Sequence, residues 1–270
     1  MRRRAMTGAA AAGVAGVMAG GTPAGASGRF PLDRLRLVSL SHVNDPAATQ
    51  LFPGDPPFEL ETIATLEDDG HFLQYVREGE HTGTHWGAPG HFNAGEPLAD
   101  DMDLEDLFRP AVKIDARHKC RSNPDYALSV ADIRAWERRH GRIPDESVVI
   151  MWTGWEYRWT DRDAWFSFDA DETMHQPGFS VEAVQWLIDT GRLGYRGGTG
   201  IDTFGPDLGT DENYTVSLLV YQRHRISLEI LANLAALPAT GAHVLCGGHI
   251  NKDGAGSTAL IYGIIPPRDH

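Results

Sequence analysis

The pattern of apolar and polar positions predicts several short strands along the chain. Two segments show strand alternation or are rich in strand-forming side chains, and two are short, continuously apolar runs. The predicted strands are residues 58–66, 71–76, 112–114 and 148–152. The continuously apolar runs are typical of strands that are buried on both faces of a sheet.

Serine residues that precede amphipathic segments predict helices. A serine at such a position can accept a hydrogen bond from a free N–H group of the first helical turn. Glycine or proline then ends the helix. The predicted helices run from Ser129 to about His140, from Ser180 to Gly191, and from Leu228 to Leu237 before Pro238. Strands mixed with helices indicate an α/β domain with a mixed sheet and flanking helices.

Residues 1–27 have the features of a cleavable signal peptide. Arg2, Arg3 and Arg4 precede a weakly apolar Ala/Gly run, and Ala24-Gly25-Ala26 is a small-x-small cleavage pattern. Paired arginines before such a run are typical of a twin-arginine signal, and a general secretory signal is the alternative. We therefore expect an exported protein, extracellular or in the cell envelope, whose residues 28–270 form one domain without a stable membrane span.

The charge of the chain bears on its partners. The formal net charge is -13, and cleavage after residue 27 would remove three arginines and no acid, leaving about -16. A strongly negative surface repels polyanions. Nucleic acid is therefore excluded as a partner, whereas a small neutral or apolar substrate is compatible. The two cysteines, Cys120 and Cys246, are either a disulfide or two buried thiols on sequence grounds.

Three histidines lie within eleven positions of a segment rich in glycine and proline. His81 and His85 are four residues apart, which is about 13 Å on an ideal strand, so the chain must bend for their rings to meet. Gly83 lies between them and can provide that bend. His91 completes the group. Loops of this kind favour metal or acid–base chemistry, and two neutral imidazoles are good ligands for a divalent transition metal.

The segment His81-Thr-Gly-Thr-His85-Trp-Gly-Ala-Pro-Gly-His91-Phe resembles the signature of the cyclase family, which includes bacterial kynurenine formamidases and isatin hydrolases. The likeness continues downstream in the order of the family. It includes Thr153-Gly154-Trp155, His175-Gln-Pro-Gly-Phe-Ser180, Gly200-Ile-Asp-Thr203 and Leu228-Glu-Ile-Leu-Ala-Asn-Leu234.

The resemblance implies a swivelling β/β/α fold and a metal, zinc or manganese, that activates water to open an amide, lactam or lactone. It places His81 and His85 at positions of metal ligands, Glu229 at that of a late glutamate ligand, and His91 at that of the catalytic acid–base. Family members commonly assemble, so a homodimer is expected. A small molecule is the expected substrate.

The sequence departs from the family pattern at two ligand positions. Gly87 stands where the family has an aspartate that bridges two metals, and Ser217 stands where relatives usually carry a histidine. His224 is a candidate substitute ligand, although its spacing from Glu229 is not that of the family. We therefore expect one ion rather than two, and we expect Gly87→Asp to raise metal affinity.

Three functions remain open on these residues. The first is an arylformamidase-like, metal-dependent hydrolase that acts on a small aryl or cyclic amide, lactam or lactone. The second is a metal-free cyclase, dehydratase or isomerase that uses His91 and Glu229 as acid and base. The third is a ligand-binding protein with a degenerate site. Asp202 is expected to organise backbone at a turn rather than to act in catalysis.

Overall fold

The computed structural model describes residues 34–267, and within this range the chain forms thirteen strands and six α-helices. The strands are β1 (Arg36–Ser39), β2 (Glu59–Ala64), β3 (Leu73–Arg77), β4 (His85–Gly87), β5 (Phe108–Asp115), β6 (Ala127–Leu128), β7 (Val148–Trp152), β8 (Gly178–Phe179), β9 (Gly198–Ile201), β10 (Ile226–Glu229), β11 (Ala242–Cys246), β12 (Gly256–Thr258) and β13 (Ile261–Ile265). The α-helices are α1 (Leu66–Asp69), α2 (Arg117–Ser122), α3 (Val130–His140), α4 (Arg162–Phe166), α5 (Val181–Asp189) and α6 (Thr215–Val220).

The central sheet has nine strands in the order β1-β13-β11-β5-β7-β9-β10-β4-β12. Strands β5, β7, β9 and β10 run parallel, and the strands on either side of them are antiparallel. Two further pairs, β2 with β3 and β6 with β8, lie apart from this sheet. The fold is the mixed α/β architecture that the sequence predicts.

The sheet buries apolar side chains on both faces. One cluster receives Ile133 and Trp136 from α3, Val184 and Leu187 from α5, and Val220 from α6, so these helices cover one face. A second cluster includes Trp86 of β4 and Leu228 of β10. Strand β10 is buried along its whole length, which holds the adjacent β4 firmly in place.

Two predicted helices are confirmed and one is wrong. Ser129 and Ser180 each accept a hydrogen bond from the third residue of their helix, as N-caps do. The segment predicted as a helix from Leu228 to Leu237 instead contains the end of β10 and a short 3-10 turn, Leu234–Ala236. Pairing of β10 with β4 and β9 determines this structure, because partners on both sides override local helix propensity.

Residues 1–33 and 268–270 lie outside the described part of the chain, and the predicted signal peptide lies among them. Within residues 34–267, no helix is long and apolar enough to cross a membrane. Cys120 and Cys246 are both free, buried thiols that pack in different apolar clusters.

Asp202 follows β9 and links it to the loop after β7. Its Oδ1 accepts hydrogen bonds from the backbone N and the hydroxyl of Thr153, both at 2.8 Å, and its Oδ2 accepts from the Glu156 backbone N at 3.2 Å. The carboxyl group is fully buried. Asp202 thus organises backbone, and burial raises its pKa from 3.8 to about 6.

Replacing Asp202 with asparagine is expected to change how stability depends on pH. Because the folded pKa is raised, the stabilising contribution of Asp202 is complete below the unfolded pKa of 3.8 and is lost as pH rises through about 6. The free energy of unfolding of Asp202→Asn should therefore gain about 2 kcal/mol relative to the wild type between pH 4 and pH 7. Urea unfolding of the chelated proteins at both pH values measures this gain. Parallel pH profiles for the two proteins would contradict it.

Candidate functional site

A cavity of about 800 Å³ opens beside strands β4 and β10. The side chains of His81, His85, His91 and Glu229 all line it. The histidine-rich segment therefore directs its three rings to one place, and the late glutamate joins them.

The local backbone explains how His81 and His85 face each other. Gly83 has a φ of +61°, a left-handed conformation that glycine adopts without strain, and this turns the chain between the two histidines. The Thr84 hydroxyl donates a 2.6 Å hydrogen bond to the Ile230 carbonyl and ties the turn to the end of β10. In the antiparallel pairing of β4 with β10, His85 lies directly opposite Glu229.

The rings of the histidine cluster pack closely. The ring centroids of His81 and His91 are 4.1 Å apart and stacked, and those of His81 and His85 are 4.8 Å apart and nearly perpendicular. Nε2 of His85 lies 3.1 Å from Oε2 of Glu229. All four groups are thus within reach of one small substrate.

Burial and the charges of neighbouring groups shift the pKa values of the four side chains in different directions. Burial, with the neighbouring His85 and His91, lowers the pKa of His81 to about 2, so its imidazole stays neutral. Burial likewise lowers the pKa of His91. For His85, burial acts in the same direction, but the hydrogen bond to Glu229 outweighs it and the pKa is raised. Glu229 keeps a lowered pKa because His85 more than offsets its burial.

The donor set suits a divalent cation. Nδ1 of His85 lies 2.9 Å from the Gly83 carbonyl, which can only accept, so this nitrogen carries a proton. Nε2 then either donates a second proton to Glu229, which is the state that the raised pKa favours, or offers its lone pair to a cation. Such a contact needs a proton or a cation between the two atoms, and a histidine oriented in this way is typical of metal sites. Nε2 of His81 is buried without a hydrogen-bond partner. Two imidazole nitrogens and a carboxylate are a plausible ligand set for zinc or manganese.

A different group in the described residues has more closely spaced ligand atoms. Those of Asp103, Asp106 and His224 all lie within 4.8 Å of one another, a spacing that His81, His85 and Glu229 do not reach as they stand. Arg196 contacts both aspartates of the first group, at 2.7 and 2.9 Å. The guanidinium thus already supplies positive charge where a cation would sit.

The proposal of His224 as a substitute ligand needs correction. Its Nδ1 lies 2.8 Å from Asp106 and its ring stacks on Tyr195. His224 is not among the residues that line the cavity. The pairing with buried Asp106 holds the ring in that ion-pair network. His224 therefore does not replace the histidine ligand that relatives carry at the position of Ser217.

Ser217 lies at the cavity with a carboxylate beside it. Its hydroxyl donates to Oδ2 of Asp207, and Oδ1 of Asp207 accepts from the backbone N of Val216 at 2.6 Å. Burial raises the pKa of Asp207 to about 6, despite these bonds. Asp207 is therefore a half-buried group that accepts hydrogen bonds from the first turn of α6.

The space beside Gly87 is filled by a tyrosine. A Cβ atom at residue 87 would lie 2.0 Å from the hydroxyl oxygen of Tyr221 and 2.8 Å from its Cζ. The same hydroxyl donates a 3.2 Å hydrogen bond to Oε1 of Glu229. The expectation that Gly87→Asp alone raises metal affinity is therefore wrong on steric grounds, because the phenol occupies the space that the new carboxylate needs.

The rest of the cavity is aromatic and acidic. Aromatic side chains are contributed by Phe52, Phe92, Phe168, Phe204 and Tyr214. Carboxylates other than Glu229 are contributed by Asp55, Glu172, Asp207, Asp211 and Glu212. Among the described residues that line it there is neither lysine nor arginine. Sequence reasoning did not identify Phe52, Asp55 or Phe204 as cavity residues, because each comes from a segment without chemical pattern.

The Trp-rich stretch packs beside the cavity rather than lining it. Trp155, Trp159, Trp165 and Phe166 form a buried cluster with Phe204 and Ile230. Phe204 alone of these six reaches the cavity. The cluster therefore supports the wall of the site through ordinary core packing.

Comparisons with known proteins agree on one family. The family profile for cyclases matches residues 38–208. The chain is 31% identical over 222 residues to isatin hydrolase of Roseibium aggregatum, a match that covers 78% of this chain and 82% of the relative. Isatin hydrolase A of Ralstonia solanacearum superposes with a TM-score of 0.80 at 31% identity, covering 86% of this chain and 93% of the other.

A second solved structure is equally similar. Isatin hydrolase A of Labrenzia aggregata, bound to benzyl benzoate, superposes with a TM-score of 0.79 at 30% identity. The match covers 87% of this chain and 95% of that protein. The likeness therefore extends over nearly all of the described domain.

Proposed function

Because the chain belongs to the cyclase family, we propose that it is a metal-dependent hydrolase that opens a C–N or ester bond of a small, neutral aromatic substrate. Hydrolysis of a cyclic amide is supported by the relationship to isatin hydrolases. The observation that carries the proposal is the meeting of His81, His85, His91 and Glu229 at one cavity. A ligand-binding protein would not need two imidazole nitrogens and a carboxylate arranged in this way.

Each residue of the cluster has a distinct chemical task. His81, His85 and Glu229 would hold the cation, and zinc or manganese would supply Lewis acidity that polarises the carbonyl and lowers the pKa of a water molecule. His91 stacks on His81 at the cavity and has a lowered pKa, so its neutral ring can accept a proton from the attacking water. The same ring can return the proton to the leaving nitrogen or oxygen.

The charge of the cavity supports a neutral substrate. Six carboxylates line it and no lysine or arginine of the described residues does, so a substrate carboxylate would have no partner there. Burying an unpaired charge beside like charges costs several kcal/mol. Away from the cation, a formyl anilide that carries an amino-acid carboxylate therefore fits less well than a neutral lactam, lactone or aryl ester. The aromatic walls can stack on a planar ring.

Paired substrates provide the test. The kcat/KM of the purified protein is measured on isatin, an aryl lactone and a formyl anilide, each with and without a carboxylate substituent on the ring. Neutral forms should be favoured by at least about tenfold, the effect of 1.4 kcal/mol. Chelation should abolish turnover, and added Mn²⁺ or Zn²⁺ should restore it. Turnover that survives complete chelation would instead support the metal-free acid–base alternative, which the hydrogen bond between His85 and Glu229 favours.

We propose that the protein is exported and forms a homodimer. Export is supported by the arginines and the small-x-small pattern within residues 1–27, and the homodimer by the assembly that is common in the family. Cell fractionation and N-terminal sequencing test the first, and light scattering of the mature chain tests the second.

A further inference from the structure

Tyr221 is in contact with the candidate site although it does not line the cavity. Its ring is 1% exposed, at the end of α6, and stacks parallel to Phe92 with centroids 5.6 Å apart. Its ring packs edge-on against His91, with centroids 6.1 Å apart, and its hydroxyl donates to Oε1 of Glu229. Because Tyr221 does not line the cavity, its polar contact with the site runs through Glu229 and not through a substrate.

The Glu229 carboxylate is held at both oxygens. Tyr221 occupies Oε1 at 3.2 Å, and Nε2 of His85 lies 3.1 Å from Oε2. While the phenol holds Oε1, the other oxygen, Oε2, is directed at Nε2 of His85. A carboxylate that bonds a buried phenol has fewer rotamers available, and a ligand oriented in advance loses less entropy when it binds.

The contact between Tyr221 and Glu229 requires a glycine at position 87. The hydroxyl of Tyr221 lies where the Cβ of any other residue at position 87 would be, at a separation of 2.0 Å. Gly87 and Glu229 lie on the paired strands β4 and β10, so the phenol enters between them only because residue 87 has no side chain. The glycine and the tyrosine therefore form one unit.

From this geometry we propose that Tyr221 is the positioning residue of Glu229 and that Gly87 exists in this chain to admit its hydroxyl. The inference rests on the proposed function for its metal, since the orientation given to Oε2 is useful when Glu229 is a ligand. Tyr221 and Gly87 together would orient the carboxylate of Glu229. The loss of the family's aspartate at position 87 is thus accompanied by a new contact, because the phenol of Tyr221 occupies the space.

Binding of Mn²⁺ to the full chain, measured by titration calorimetry, tests the proposal. Tyr221→Phe keeps the ring and its stacking on Phe92 but removes the hydrogen bond, and it should weaken Mn²⁺ binding about tenfold, the scale for partners that orient a ligand. Tyr195→Phe is the matched control, since Tyr195 stacks on His224 outside the cavity. The control should bind Mn²⁺ as the wild type does.

A double-mutant cycle with Glu229→Gln separates positioning from general weakening. If Tyr221 acts through Glu229, Tyr221→Phe should add no further loss in the Glu229→Gln background. Equal losses in both backgrounds, or binding within twofold of the wild type for Tyr221→Phe alone, would overturn the proposal. Thermal unfolding of the chelated proteins shows whether each variant is folded.

A crystal structure of Tyr221→Phe gives a readout without metal. We expect the Glu229 carboxylate to turn away from Nε2 of His85, and an unchanged carboxylate would contradict the positioning role. If the wild type binds neither Mn²⁺ nor Zn²⁺ while Glu229 does turn in the variant, the metal-dependent function fails and the positioning role stands. The two failures are therefore distinguishable.

Discussion

Replacing His91 with alanine is expected to lower turnover by roughly a hundredfold or more, the usual scale for loss of a general acid–base, while most of the bound metal remains. His91 stacks on His81 and makes no hydrogen bond to Glu229 in the described structure, so we expect the His81, His85 and Glu229 donors to keep their positions in the variant. By contrast, His81→Ala removes a buried nitrogen that has no other partner, and it should lose metal and activity together.

The measurement is kcat with metal content by elemental analysis for both variants. His71→Ala is a suitable control, because His71 is exposed and lies outside the cavity. If the His91 variant loses its metal while the His81 variant keeps it, the assigned roles are reversed. If both variants keep full activity on the true substrate, the cluster is structural and the hydrolase function fails.

Replacing Gly87 with aspartate is expected to destabilise the protein and to leave metal affinity no higher than in the wild type. The new Cβ would collide with the hydroxyl and Cζ of Tyr221, both in a fully buried region. Overpacking of this kind costs about 1–3 kcal/mol of unfolding free energy. Displacement of the phenol would also release Oε1 of Glu229.

Gly87→Ala and Gly205→Ala separate the steric effect from the charge. The Cβ of residue 205 would meet no atom closer than 3.6 Å, so this control should cost much less stability than Gly87→Ala in urea unfolding. Removing the obstacle with Tyr221→Ala should make Gly87→Asp tolerable, and the added carboxylate should then strengthen Mn²⁺ binding. Stronger binding by Gly87→Asp with Tyr221 intact would show that the phenol moves aside freely.

Local sequence signals predicted the elements whose structure is locally determined. The cap at Ser129 and the apolar run 148–152 gave α3 and β7 correctly, because capping and continuous burial are visible in neighbouring residues. The segment at Leu228 was misassigned because its structure depends on two strand partners, residues 85–87 and 198–201. No local pattern carries that information.

The same distinction holds at the candidate site. The three histidines were predicted to share a pocket from a single loop, and the structure brings them together. Glu229 was placed by resemblance alone, and its register opposite His85 explains why it arrives there. Tyr221 gave no signal, since its contact with Gly87 joins a helix end to a strand more than a hundred residues away. The pairing of His224 with Asp106 also joins residues far apart in the sequence, so no local pattern predicted it.

The acidic lining of the cavity has a consequence for the end of the catalytic cycle. Opening a lactam, lactone or ester converts a neutral molecule into a carboxylate, and the new charge appears among six carboxylates without a neighbouring lysine or arginine in the described lining. Like charges at short range repel, most strongly where water is scarce. The product therefore binds more weakly than the substrate from which it forms, apart from its contact with the cation. Such an enzyme escapes inhibition by its own product and continues to turn over as product accumulates.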